Sequence, residues 1–254
     1  MLVINGHKIY RGANLEDLDF IGADFHGLDL SNCMFRGANL SEANLSRANL
    51  FSCRLEKSIL CRANLDNANL TGADLCEANL KDATLNLADL KNVNFERANL
   101  GSVKLAGFDF HQVGSIFRAQ FAYAILGGSN FSGMQLTNDF SNAYLNGSNF
   151  WEAHFISCSV RGADLSGADL SSAIMQGIDL SGVRLCGANL SSCDLGGANL
   201  HEADLRGANM SGSNLTHANL CGANLMGVNF DGVSDFGVTK DIDTIEPDGT
   251  FYNR

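Results

Sequence analysis

The chain has 254 residues, a formal net charge of −11 and 18% charged residues, with 27 glycines and one proline. A strongly acidic chain repels nucleic acid and anionic membranes, so we expect neither as a direct partner. No apolar run approaches the roughly 18 residues of a membrane span, and the hydrophobic fraction of 45% argues against disorder.

Residues 1–11 carry Leu2, Val3, Ile4 and Ile9 and show no repeat. The segment lacks the long apolar core of a signal peptide, so we expect a cytoplasmic protein. Because the open end of a stacked β structure invites aggregation, we interpret residues 1–11 as an N-terminal cap on the structure that follows.

A five-residue repeat begins after this segment. Between residues 15 and 110 every fifth position is Leu or Phe, which gives twenty such centres in a row. A small residue, usually Ala, stands two positions before each centre, and Asn or Asp stands between the two. Ala38-Asn39-Leu40 is an example.

A period of five fits neither a helix nor a plain strand. On an α-helix each step of five would rotate Leu by about 140° beyond a full turn, and on a strand successive Leu would alternate faces. We therefore predict an all-β fold in which each repeat forms a short extended piece and a corner. Four corners close a coil of about twenty residues, with Ala and Leu inside and Asn or Asp outside, and coils stack at about 4.8 Å.

Glycine supports the predicted corners. Twenty of the 27 glycines stand two positions after a centre, where a turn needs a residue that tolerates positive φ. The single proline agrees with this interpretation, because stacked coils use their backbone N–H groups in the ladder between them.

Repeats such as Ala38-Asn39-Leu40-Ser41-Glu42 and Ala163-Asp164-Leu165-Ser166-Gly167 resemble the pentapeptide-repeat family, in its regular Ala-(Asp/Asn)-Leu-x-x form. The resemblance covers about residues 12–232. It implies a right-handed quadrilateral β-helix, and the handedness comes from the resemblance alone. About 44 repeats predict about eleven coils of about twenty residues and a rod of about 50 Å.

The repeat changes phase twice. After Phe110 one residue is inserted within 111–115, and one is lost again within 137–139, before a second block of centres that runs from 140 to 230. We therefore predict a repeat domain over residues 12–230 with register slips near these two segments.

Residues 231–254 lose the period. They retain the apolar residues Phe236, Val238, Ile242, Ile245 and Phe251. We interpret the segment as a C-terminal cap over the last coil. The resemblance also implies a second role, a homodimer contact, and both interpretations stay open.

No arrangement of catalytic or metal-binding residues is recognisable. The eight cysteines form no Cys-x-x-Cys pair, and no ligands converge at close spacing. Cys33 and Cys53 are twenty residues apart, so we expect them to be neighbours in adjacent coils, as buried thiols rather than a disulfide. No histidine pairs with a Cys or Ser in a recognisable catalytic constellation, and no nucleophile elbow or phosphate loop occurs. We predict no enzymatic activity, no metal and no cofactor.

Aromatic residues break the polar pattern of the outside near the two slips. The candidate protein-contact patch consists of Phe117, Tyr123, Tyr144, Trp151 and His154. Exposed aromatic residues are typical of contact surfaces; the alternative is that the slips rearrange the coil and bury them. The coil length also predicts that Ile125 is next to Tyr144 and that His154 is next to Ile174.

Together these features predict a non-enzymatic repeat scaffold, of bacterial origin, that binds an unidentified protein. The resemblance implies an alternative, a DNA mimic that protects or inhibits a type II topoisomerase such as gyrase. A DNA-like rod of about 50 Å would need about 30 negative charges, so the net charge of −11 supports this alternative weakly. A secreted bacterial effector is a further alternative.

Overall fold

The structure, a computed structural model, describes residues 2–235, 237–250 and 252. Two apolar residues of the predicted C-terminal cap, Phe236 and Phe251, lie outside the described residues. Contacts divide the chain into unit 1, residues 1–105 and 111–124, and unit 2, residues 106–110 and 125–254.

Continuous secondary structure is short in the described part of the chain, which contains no α-helix. Its elements are strands β1 (Leu2–Ile4), β2 (His7–Ile9), β3 (Gln135–Leu136) and β4 (His154–Phe155), and one 3-10 helix (Phe110–Gln112). Everything else that pairs does so through single parallel bridges. In unit 1 Asn39 pairs with Ile59, and in unit 2 Asn189 pairs with Asn209. Both units are therefore parallel β-helices, as the five-residue period predicts.

One repeat shows why the coils stack. The N–H groups of Leu40 and Glu42 donate to carbonyls of the next coil at 2.7 and 2.9 Å, and the N–H of Asn39 donates to a carbonyl of the previous coil at 2.9 Å. The N–H of Ala43 closes a turn on the carbonyl of Leu40 at 3.1 Å. The fifth N–H, that of Ser41, donates to the side-chain oxygen of Asn39 at 3.2 Å. Asn or Asp before the centre therefore satisfies the one backbone donor that the stacking leaves over.

The corner is a type II turn, because its third residue has positive φ. All twenty glycines predicted at this position have positive φ, for example Gly37 at 66°. Other residue types adopt the same conformation at the remaining corners, including Arg47 at 58° and Leu87 at 55°. Left-handed backbone costs a residue with a Cβ atom about 1–2 kcal/mol. The ladder holds Arg47 in this conformation, because its N–H donates to the carbonyl of Asp66 in the next coil at 2.9 Å.

Side-chain ladders run along the outside of each unit. In unit 2 the amides of Asn189, Asn209 and Asn229 each donate to the side-chain oxygen of the previous coil, at 3.1, 3.3 and 3.2 Å, and the first acceptor is Asp169. In unit 1 Asn69 and Asn49 form the same series, which starts from Asp29. These ladders fix the outer polar residues in register with the coils.

The interior of each unit is filled by the centres and the small residues before them. Leu40 and Ala38 are fully buried, as predicted from the period. In unit 2 the rings of Phe110, Phe131 and Phe150 stack with centroids 4.3 and 4.9 Å apart. A coil packed in this way has no room for a ligand in its interior.

The bridge spacing records the two changes of phase. It is 21 residues at Asn94–Ser115 and at Asn99–Gln120, where the 3-10 helix takes up the extra length. It is 19 at Ile125–Tyr144 and returns to 20 at Asp139–Ser159.

The N-terminal segment of unit 1 is an antiparallel hairpin, in which β1 pairs with β2. Its turn residues Asn5 and Gly6 both have positive φ, which is the type I′ turn that Asn-Gly favours. The ring of His7 lies 5.7 Å from that of Phe20, so the hairpin packs on the first coil.

The C-terminal segment of unit 2 continues the ladder past residue 230. Ser234, Thr239 and Ile245 pair with the preceding coil through parallel bridges. Thr244 is fully buried, and its hydroxyl donates to the carbonyl of Leu220 at 3.1 Å. Backbone pairing between coils therefore continues beyond the residues that carry the Leu repeat.

Candidate protein-contact surface

The structure divides the five residues of the predicted patch between the two units. Phe117 and Tyr123 belong to unit 1, whereas Tyr144, Trp151 and His154 belong to unit 2. Their exposed fractions are 43% for Phe117, 60% for Tyr123, 53% for Tyr144 and 47% for Trp151, and His154 is half-buried. None of the four larger aromatic side chains is buried.

In unit 1 the two aromatic residues occupy successive corners. Phe117 follows the centre Ile116, and the guanidinium of Arg118 lies 5.3 Å from its ring centroid, which is a cation–π contact. Tyr123 has a φ of 62°, so it holds a corner position that glycine usually fills.

Tyr144 lies on one side of unit 2, which we name the Tyr144 face. Its outward column runs through Ile125, Tyr144, Asp164, Arg184 and Asp204. The bridge between Ile125 and Tyr144 confirms their predicted contact. Beyond Tyr144 the face is charged, because Arg184 lies 3.9 Å from Asp164 and Arg206 binds Asp204 through two hydrogen bonds of 2.8 and 2.7 Å.

His154 lies in a different column, and we name this side, with its flanking corners, the Trp151 face. The column runs through Gln135, His154, Ile174, Asp194 and Asn214. The bridge between His154 and Ile174 confirms the second predicted contact. Tyr144 and His154 are ten residues apart in a coil of about twenty, so their faces lie on opposite sides of unit 2.

The Trp151 face carries an exposed apolar cluster. Trp151 and Ile156 occupy the corners on either side of His154, and Ile174 follows His154 in the next coil. Ile156 is 46% exposed and Ile174 is 40% exposed. Sequence reasoning missed Ile156, although an apolar residue directly after a centre, where Ser is frequent, is a readable signal.

Net charge is concentrated in one unit. Unit 1 contains 13 acidic and 12 basic residues, whereas unit 2 contains 15 acidic and 5 basic residues. Almost the whole net charge of −11 therefore belongs to unit 2, the unit with the Trp151 face.

Four of the thiols are poor nucleophiles. Burial raises the pKa of Cys53, Cys158 and Cys193 to about 12, and it also raises the pKa of Cys33. A thiol with so high a pKa is protonated at neutral pH. All eight cysteines are free.

The described part of unit 2 has several depressions, among them two that polar side chains line. One is an open polar groove of about 590 Å³ along a corner column, where Gly162 and Gly182 leave space between Asn142 and His201. The other is a cavity of about 200 Å³ at the C-terminal coil, lined by Phe230, Val233 and the Lys240–Glu246 ion pair, among others. The groove is also lined by Ser141 and Ser181, and the imidazole of His201 contacts the carbonyl of Cys221 at 2.9 Å and the carboxylate of Glu202 at 3.5 Å.

Over residues 2–235, 237–250 and 252, no three His, Cys, Asp or Glu side chains form a group that could hold a metal ion. The same residues include no helix with the length and apolar character needed to cross a membrane.

Comparison with known proteins gives one match at the family level. The sequence model described as pentapeptide repeats matches in eight copies, over residues 11–42, 43–82, 77–112, 139–171, 163–201 and 203–234. No curated protein matches the chain.

The chain is also similar to solved structures. HetL, a pentapeptide repeat protein involved in heterocyst differentiation regulation in the cyanobacterium Nostoc, is 29% identical over 97% of this chain and 94% of its own, with a TM-score of 0.30. QnrB1, a plasmid-mediated fluoroquinolone resistance protein, is 17% identical over 92% of this chain and 94% of its own, with a TM-score of 0.28. A pentapeptide repeat protein from the Arabidopsis thaliana thylakoid lumen is 29% identical over 38% of this chain and 67% of its own, with a TM-score of 0.21.

Proposed function

Because the chain belongs to the pentapeptide repeat family, we propose that it is a non-enzymatic scaffold that binds another protein through its outer faces. The observation that carries the proposal is the exposure of large aromatic side chains where the repeat normally places small or polar residues. Trp151 is 47% exposed and Tyr144 is 53% exposed. Aromatic residues of this kind supply much of the energy of protein interfaces.

The coils suit this role because their backbone N–H and C=O groups are hydrogen-bonded to neighbouring coils. Each face offers side chains at a spacing set by the ladder, so a partner meets groups that are already ordered and little conformational entropy is lost on binding. The filled interior and the protonated thiols support binding rather than catalysis.

The proposal includes the finer architecture that the family implies. The β-helix is right-handed and quadrilateral, with about eleven coils of about twenty residues. The C-terminal tail, residues 231–254, either caps the last coil or joins two copies of the chain into a homodimer. The cytoplasm is the compartment of action, which the free thiols of the neighbours Cys33 and Cys53 support.

The test is site-specific photo-crosslinking in the host. A benzophenone amino acid replaces, one at a time, Phe117, Tyr144 and Trp151, which sample unit 1 and both faces of unit 2. Leu87, which is 87% exposed in unit 1, gives a matched control position. We expect one discrete protein adduct from at least one aromatic position and none from Leu87. The absence of any adduct from all three positions would contradict a scaffold role.

A second candidate function is DNA mimicry toward a type II topoisomerase. The observation that favours it is the charge of unit 2, with 15 acidic residues against 5 basic ones. The test adds purified protein to gyrase supercoiling and drug-cleavage assays. We expect no effect at micromolar protein, and inhibition or protection would make mimicry the leading function.

A further inference from the structure

We propose that the Trp151 face binds a basic amphipathic segment of a partner polypeptide, in which apolar side chains are flanked by Lys or Arg. The inference rests on the proposed scaffold function and names the chemistry of the partner. It is confined to unit 2.

The apolar part of the site is the cluster of Trp151, Ile156 and Ile174 around the half-buried His154. These residues lie on two adjacent coils and extend from one corner of the face to the other. A Trp and two Ile side chains, each 40–47% exposed, leave apolar area that a partner side chain can cover. A central Trp is the residue type that most often anchors an interface.

The charges on this face all have one sign. Its carboxylates are Glu152, beside Trp151, and Asp194, in the coil after Ile174. Among the described residues Glu152 forms no ion pair, and Asp194 accepts hydrogen bonds only from uncharged groups, those of Gln176, Gly196 and Asn214. Both carboxylates therefore retain uncompensated charge.

The three arginines between residues 132 and 217 lie elsewhere. Arg184 belongs to the Tyr144 face, Arg206 lies on its corner with Asp204, and Arg161 lines the polar groove. From residue 132 to residue 217, no Lys or Arg lies on the Trp151 face or its corners. An apolar centre with carboxylates beside it and no cation is complementary to an apolar segment with Lys or Arg, and it repels an acidic one.

Other occupants fit this surface less well. Nucleic acid is repelled by the same carboxylates. A second copy of the chain would bring an acidic face against an acidic face, which costs free energy through like-charge repulsion.

The experiment uses the purified full chain and two synthetic probes. One is a fluorescein-labelled peptide in which Lys alternates with Leu and Trp, and the other has Glu in place of Lys. Fluorescence anisotropy measures both affinities. We expect the Lys peptide to bind and the Glu peptide to remain free. The double variant Trp151→Ala, Ile174→Asn should weaken binding of the Lys peptide by about tenfold or more. Asn is the residue that the repeat favours at position 174, so the coil is retained.

The matched control is Tyr144→Ala on the opposite face, which should change the affinity by less than about twofold. Glu152→Lys reverses an exposed charge and should also weaken binding of the Lys peptide; this variant keeps the inference testable if the double variant does not fold.

Four results would overturn the inference. The first is that the Glu peptide binds as tightly as the Lys peptide, and the second is that the double variant or Glu152→Lys binds the Lys peptide with unchanged affinity. The third is that Tyr144→Ala loses as much affinity as the double variant. The fourth is that the wild type sediments as a dimer that Trp151→Ala dissociates. Crosslinks from Tyr144 or Phe117 without one from Trp151 would leave the scaffold function standing and contradict only this inference.

Discussion

The side-chain amide of Asn189 donates to the carboxylate of Asp169 at 3.1 Å, and the donor stands in the later coil. The same direction holds for Asn199 on Asp179 at 3.0 Å. A carboxylate only accepts hydrogen bonds, whereas an amide accepts from one coil and donates to the other. Asp therefore suits the start of a ladder and Asn suits its continuation.

Replacing a central ladder residue should destabilise the fold. Asn189→Ala removes a donor to Asp169, an acceptor for Asn209 and an acceptor for the N–H of Ser191. We expect the free energy of unfolding to fall by about 1–2 kcal/mol, because half-buried hydrogen bonds contribute about 1 kcal/mol each. Urea unfolding followed by circular dichroism measures the change, and an unchanged midpoint would show that the ladder carries no stability.

The variant Asn189→Asp separates charge from geometry at the same position. It sets a second carboxylate beside Asp169, so it should be less stable than the wild type at pH 7. The deficit should shrink as the pH falls below about 4, because protonation removes the repulsion. A deficit that does not depend on pH would contradict this explanation.

Acid should weaken the fold through the carboxylates that start the ladders. Hydrogen bonds from the side chain and backbone of Ser181, and from the amide of Asn199, lower the pKa of Asp179 below its ordinary value. A group with a lower pKa in the folded state stabilises the fold above its unfolded pKa of about 3.9, and this stability is lost as the pH falls through the folded value. Asp179→Asn should therefore be less stable than the wild type at pH 7 but similar to it near pH 2. The control is Asp231→Asn, which removes an exposed carboxylate of the same unit and should change the free energy of unfolding less at pH 7.

Leu87 occupies a corner whose backbone conformation is unfavourable for leucine. Leu87 has a φ of 55° and is 87% exposed, so it gains little from packing and has an unfavourable conformation. Leu87→Gly should raise the free energy of unfolding by about 0.5–1 kcal/mol. Lys91→Gly, at a corner position without positive φ, is the control and should lower it. A loss of stability in Leu87→Gly would show that the corner is not strained.

The buried thiols should resist alkylation while the protein is folded. Burial raises the pKa of Cys53, Cys158 and Cys193 to about 12, so little thiolate exists at pH 8. We expect iodoacetamide to leave these three unmodified in native protein and to modify all eight cysteines in urea. Peptide mass spectrometry identifies the sites, and rapid native labelling of Cys53 would contradict its burial.

The interior could be predicted from the sequence because it follows one rule. A period of five with Leu or Phe at the centre has one arrangement that buries every centre, so Leu40, Phe95 and Leu190 are fully buried as expected. The neighbours of Tyr144 and His154 followed from the same coil length.

The corners, the N-terminal hairpin and the contact surface depend on features that the five-residue period does not specify. Arg47 and Leu87 occupy corners that the sequence assigns most readily to glycine. At Arg47 the ladder holds the positive φ, because its N–H donates to the carbonyl of Asp66 in the next coil. Asn5-Gly6 is a hairpin signal that lies outside the period. Ile156 was missed as part of a contact surface because apolar residues next to a centre have no fixed meaning until the faces are known.

The bridge spacings of 21 and 19 residues cancel, so the columns after residue 139 regain the spacing of 20 found before residue 94. The register between neighbouring coils is therefore preserved whenever the chain length changes by one whole coil of 20 residues. Deleting residues 166–185 would join Leu165 to Cys186, which stands in the next coil at the position equivalent to Ser166, the present neighbour of Leu165. A gene of this kind can therefore gain or lose sixty nucleotides, which encode one coil. In each product the remaining coils still pair through the same backbone ladder.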